Sequence, residues 1–386
     1  MILKKHIAYF FFTVALCYII SPWFFEKKLL FNELLSVCGL GMLAYKRFKI
    51  ERSEITLLLI LFLCLSAVHL IVSLWRMDSL YYYLRNSVIV YSVFSFFLGY
   101  FTWKYLPSFI AGIRRLLSFY IGFFLLVPVS RFLFERFGMS LLFSALIQKR
   151  NLKYALLFLM CLCFIYAVVY SSATIMVLFF CFGLLLIIPS YKALKQFTAI
   201  GFLFFLIFFV LIQPDLALMD TYYSVSNNEG IETVMRSNSL LALDASTTWR
   251  FVFWRQAIVD QFPLNIPGLG FGTPLFKYYP VYDPEKLSTL PYVMGAHNSY
   301  VYLFARLGIL YLLLLAGTYR IIFKEYFYFK GYYYKTGFIL LFWSFFSISV
   351  IAFFNPVLES PVYASAYWLL LGFLAKTIVS RKAATL

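Results

Sequence analysis

The strongest constraint on this chain is a succession of apolar runs long enough to cross a membrane, among them Ile55–Leu74, Leu116–Leu133, Gln196–Ile212 and Gly337–Phe354. A helix rises roughly 1.5 Å per residue and the hydrocarbon core is about 30 Å thick, so about 20 apolar residues make one crossing. Composition agrees with that reading. The 386 residues are 63% hydrophobic, 22% aromatic and 13% charged, whereas a soluble domain carries about 25% charged residues. The core is therefore expected between helices in lipid, and length does not count soluble domains.

Twelve spans are expected, near 7–25, 29–45, 55–74, 87–103, 116–134, 138–147, 153–170, 172–190, 196–212, 298–319, 336–354 and 362–378. The sixth is short for a crossing. The first follows Lys4 and Lys5 and lacks a small-residue cleavage site, so it reads as a retained span. With a cytoplasmic N-terminus, 21 of the 33 Lys and Arg residues fall on the inside, which fits the positive-inside rule. Both termini are then cytoplasmic. The fold class is an all-α polytopic bundle with one long, partly helical outer loop. Its parts are an N-terminal bundle of about nine spans (1–212), the loop (213–297) and the C-terminal spans (298–386).

The net charge of +17 is scattered in short clusters between apolar runs, so nucleic acid is not an expected partner. The six cysteines lie inside apolar runs and suggest neither disulfides nor a metal site. Of the 12 outer basic residues eight are Arg, against seven of the 21 inner ones. Arg is preferred where a planar fork grips phosphate or carboxylate. Chance in a small sample, or contact with lipid headgroups, would produce the same bias. Internal repeats are absent and intramembrane ionisable residues are scarce, Glu33 and His69 being the clearest. Both points disfavour an ion-coupled transporter.

The chemistry-bearing stretch begins at Ser246-Thr247-Thr248, a helix start preceding Trp249–Phe262. Arg250 and Trp254 are four apart and share a face, while Arg255 points elsewhere. Gly268-Leu269-Gly270-Phe271-Gly272 follows. Alternating glycines can expose N–H groups to an anion, although ligand-free glycine turns are the commoner kind. His297 is the one histidine of the loop and, with Asn298, heads a span. It is placed either as a general base for a hydroxyl or as an interfacial or capping histidine.

Taken in order, Arg250 with Trp254, the glycine turn, His297-Asn298 and, after nine intervening residues, Gly308 resemble the O-antigen ligase and polymerase superfamily. Asn355-Pro356 and Trp368–Gly372 extend the likeness to about Ser246–Gly372. Two departures stand out. The family's Ser-Arg-Gly or Ser-Arg-Thr is here Ser171-Ser172-Ala173-Thr174, and Arg306 stands where an acidic residue is common. The resemblance implies a metal-independent glycosyltransferase of the bacterial inner membrane, needing no cofactor and working on the periplasmic face. Its donor would be a glycan on polyprenyl (undecaprenyl) diphosphate. The acceptor would be lipid A core for a ligase, or a second lipid-linked glycan for a repeat-unit polymerase. His297 and Arg250 would be catalytic; Trp254, Arg255, Gly268, Gly270, Gly272 and Asn298 would bind substrate. A flippase is the reading from another class.

Overall fold

The computed structural model describes residues 31–105, 177, 180–181, 183–185, 187–211, 250, 254, 256–273, 275, 281–283, 288–290, 298–331 and 336–385. Its longer helices are α1 (Phe31–Tyr45), α2 (Glu54–Leu74), α3 (Tyr191–Leu211), α4 (Ser299–Gly331), α5 (Thr336–Phe354) and α6 (Pro361–Thr385). Between α2 and α3 the stretch from Leu80 to Tyr105 is a chain of short helical pieces rather than one helix. Among the described residues four segments are long and apolar enough to cross a membrane: Glu54–Leu74, Tyr83–Tyr105, Ser299–Phe329 and Tyr363–Arg381. The spans expected at 7–25, 116–134, 138–147 and 153–170, and most of 172–190, lie outside the described residues. The expectation of an all-α chain needs one amendment. The long loop contains a small antiparallel strand pair, Val281–Asp283 with Ser288–Leu290.

Local sequence explains where α2 begins. Ser53 and Thr56 cap it reciprocally, with Ser53 N–H donating to Thr56 Oγ1 (2.9 Å) and Thr56 N–H donating to Ser53 Oγ (3.2 Å). This is the geometry of a capping box, which satisfies donors that have no partner within the helix. The 21 residues that follow span about 31 Å.

The described chain falls into two compact units. The first holds α1, the start of α2, Val88–Tyr105, α5, α6 and the end of α4. There Ser95–Thr102 and α6 touch backbone to backbone. A Cβ on Gly99 would collide with the Leu369 carbonyl oxygen, and one on Gly372 with that of Phe96. Small residues at a crossing are the usual device for close helix packing in lipid, where apolar surface alone gives little preference for protein over acyl chain. Trp103 Nε1–H bonds to Thr377 Oγ1 (2.9 Å) along the same contact. Glu33, which the sequence places within a span, accepts the Tyr91 hydroxyl at 2.7 Å. Two ion pairs, Lys376–Glu51 and Arg381–Glu325, join segments that the charge pattern assigns to the inner side. The second unit comprises residues 64–87 and 190–313 and carries the candidate site.

Candidate functional site

The helix that follows the long loop is broken near its start. Gly308 (φ 78°, ψ −170°) interrupts α4, in a region of backbone space open essentially to glycine alone. A break at that point leaves the carbonyls of the preceding turn without their helical donors. The loop supplies them. Leu269 N–H donates to Ala305 O (2.8 Å) and Gly270 N–H to Arg306 O (2.9 Å), while Ile309 N–H donates to Ile266 O (2.9 Å). The segment Ile266–Gly270 thus pairs with the helix break much as one strand pairs with another. Irregular backbone of this kind is stable in a membrane protein only where protein groups satisfy it.

The same segment is seated against the end of α2. Phe271 N–H donates to Ser73 Oγ (2.7 Å), Asp78 N–H to Gly272 O (3.1 Å), and the Pro267 carbonyl faces the His69 imidazole. His69, which the sequence also places within a span, therefore meets the glycine turn.

This geometry explains the three alternating glycines. Gly268, Gly270 and Gly272 have φ of 96°, 75° and 85°. Their missing Cβ atoms leave room for, respectively, the Arg306 carbonyl, Ser73 Oγ and Met77 Cβ. The N–H groups of Leu269, Gly270 and Phe271 are all bonded to protein. In this structure the turn packs two helices together and offers no anion cradle at those three residues.

Arg250 lies on the loop helix, half-buried, with its Nε buried and without a hydrogen-bond partner. Trp254, one turn on, is buried. The helix then loosens into a π turn over Gln256–Asp260. Asn265 closes it from below, its Nδ2 donating to Ala257 O and Ile258 O, both at 2.8 Å. Arg255 and His297 lie outside the described residues. Asn298 is fully buried and caps α4. Its Oδ1 accepts from Tyr300 N–H (3.0 Å) and Val301 N–H (3.1 Å), and its Nδ2 is buried without a partner.

Two residues of the site escape sequence reasoning. Ser73 carries no motif, and only its place opposite the glycine turn reveals its role. Arg306 is visible in the sequence as an outer arginine, but its setting is not. It is buried, with Nη1 donating to Gly270 O (3.0 Å) and Thr273 O (2.7 Å). Its guanidinium lies 5.1 Å from the centre of the Tyr302 ring, and the Tyr302 hydroxyl donates to Asn86 Oδ1.

No curated protein and no solved structure matches the chain. A family model does: residues 155–316 match the family described as O-antigen ligase. The matched stretch contains Arg250, the glycine turn, Asn298 and the break at Gly308, and it stops before Asn355-Pro356 and Trp368–Gly372. Over this stretch the chain is O-antigen ligase-like, and its membrane-type helices suit that family.

Proposed function

We propose that this protein is a membrane glycosyltransferase that moves a glycan from a polyprenyl diphosphate carrier to a hydroxyl of lipid A core, on the outer face of the bacterial inner membrane. The observation that carries the reading is the coincidence of the O-antigen ligase match with Arg250, whose buried Nε–H has no protein acceptor. In the reaction, the acceptor oxygen bonds to the anomeric carbon as the bond from that carbon to the phosphate oxygen breaks. The diphosphate leaves with the electron pair. Negative charge grows on it, so a guanidinium aimed there binds the transition state more tightly than the ground state. The acceptor proton goes to the imidazole of His297, the kind of side chain that most often acts as a general base.

Glycan profiling of a deletion strain tests the reading. Loss of a ligase leaves bare core, with polymer accumulating on the carrier. Core capped by one repeat unit would assign the protein to polymerisation instead, and absence of both polymer and capped core would indicate transport.

Arg250 gives a sharper test. A bidentate grip on diphosphate needs the planar fork, which lysine lacks. Arg250→Lys is therefore expected to be nearly as impaired as Arg250→Ala in initial transfer rate with purified donor. If Arg250 only attracts anionic headgroups, the lysine variant will be active and will weaken with added salt, because exposed attraction is screened over about 8–10 Å. A fully active, salt-sensitive lysine variant rules out the bidentate role.

A further inference from the structure

We propose that the turn between α1 and α2 docks on anionic phospholipid: Lys46, Arg47, Lys49 and Arg52 take the phosphate-bearing headgroups, and the Tyr45 and Phe48 rings enter the membrane interface beside them.

The backbone of the turn is the first observation. Phe48 N–H donates to Leu43 O (3.0 Å) and Arg47 N–H to Ala44 O (2.8 Å). These bonds close α1 in the Schellman pattern, in which the residue just past the cap is left-handed and is usually glycine. Here that residue is Arg47, with φ 50°, and Phe48 follows with φ 56°. Two consecutive bulky residues in this region are unusual, and each carries a conformational cost. Packing against the protein does not offset it. The hydrophobic contact that accompanies such a helix end would set Phe48 on Leu43, yet Phe48 is 66% exposed and Tyr45 is 77% exposed. Arg47 is exposed as well. The strained backbone therefore presents these side chains outward.

Charge is the second observation. Lys46, Arg47, Lys49 and Arg52 are all exposed, and among the described residues none is paired with a carboxylate. The turn's own Glu51 is taken by Lys376 of α6. Glu54, in the first turn of α2, is left to oppose four cations. The positive-inside rule accounts for basic residues on this side, and the dipole of α1 favours Lys46 and Arg47 at its end. Neither accounts for the left-handed pair, nor for Arg52 beside the start of α2, where a helix dipole favours an anion. An anionic bilayer surface accounts for all of these. Four or more basic residues next to a span attract anionic headgroups, and aromatic rings settle at the headgroup level.

The test titrates dioleoyl phosphatidylglycerol into the full chain purified in detergent and follows the thermal midpoint, which rises when a ligand binds the folded state. Dioleoyl phosphatidylcholine is the control with the same chains and no net charge. Wild type is expected to respond to phosphatidylglycerol at much lower concentration. Each cation removed should weaken that response about fivefold, so Lys49→Gln with Arg52→Gln should weaken it about 25-fold. Arg47→Gly should weaken it about fivefold, and without lipid its midpoint should match or exceed that of wild type, because glycine adopts the left-handed conformation freely. Equal responses to the two lipids, or folded variants that respond as wild type does, overturn the proposal. A lower lipid-free midpoint for Arg47→Gly also overturns it, because the side chain would then be packing on the protein. Inorganic phosphate is expected not to compete, and displacement by it would overturn the assignment to lipid. If the double variant does not fold, salt decides with wild type: the preference for phosphatidylglycerol should fade as salt is added, and persistence overturns the proposal.

Discussion

Gly308→Ala is expected to remove most of the folded protein. Alanine strongly disfavours φ 78° with ψ −170°, a conformation that costs a non-glycine residue about 1–3 kcal/mol. The added Cβ would also collide with the Ile266 carbonyl oxygen and lie 2.6 Å from the Pro267 carbonyl carbon. Both neighbours are backbone, and both belong to the segment that pairs with the break, so neither can yield without breaking hydrogen bonds. Overpacking of this kind costs about 1–3 kcal/mol more. The total is a large part of an ordinary protein's stability of about 5–15 kcal/mol. The thermal midpoint and monodispersity of the detergent-solubilised protein give the readout. Gly41→Ala is the control, because its Cβ would meet nothing within 4 Å and it lies in the helix α1. There alanine should be neutral or mildly stabilising. A Gly308→Ala protein as stable as wild type would show that the break is not required.

His297→Ala is expected to lower the transfer rate by about 10²–10⁴-fold, the usual contribution of a positioned general base, while the protein folds normally. The helix start after it depends on the Asn298 side chain, whose Oδ1 holds the Tyr300 and Val301 N–H groups. Truncating the neighbouring imidazole leaves that cap intact. The measurement is initial rate with purified lipid-linked donor, read beside the thermal midpoint. Near-normal transfer by a folded variant would remove His297 from catalysis.

The helices that sequence reading locates well are those whose signal is local. Phe31–Tyr45, Glu54–Leu74, Thr336–Phe354 and Pro361–Thr385 all begin within two residues of their expected spans, because continuous apolarity is a property of the stretch itself. The region from Leu80 to Tyr105 is legible as apolar, but its division into short helical pieces is not. The glycine turn shows the limit most clearly. The spacing of Gly268, Gly270 and Gly272 announces an unusual backbone, but its purpose depends on Ser73, nearly 200 residues away, and on carbonyls freed by Gly308. Nothing local to the turn encodes those partners. Arg306 is a similar case. Its charge is visible in the sequence, whereas its burial among Gly270, Thr273 and Tyr302 depends on the loop folding back.

The pairing of Ile266–Gly270 with the break in α4 also bears on how the protein is made. Ser73 and the end of α2 leave the ribosome early, the glycine turn much later, and the carbonyls of Ala305 and Arg306 last. Until α4 is formed, Leu269 and Gly270 lack their acceptors, and until the loop folds back the freed carbonyls lack their donors. Each half is unsatisfied without the other, so this part of the site cannot be completed before the chain has passed Gly308. A chain ending before that residue leaves the Leu269 and Gly270 N–H groups without the Ala305 and Arg306 carbonyls they bond in the complete chain.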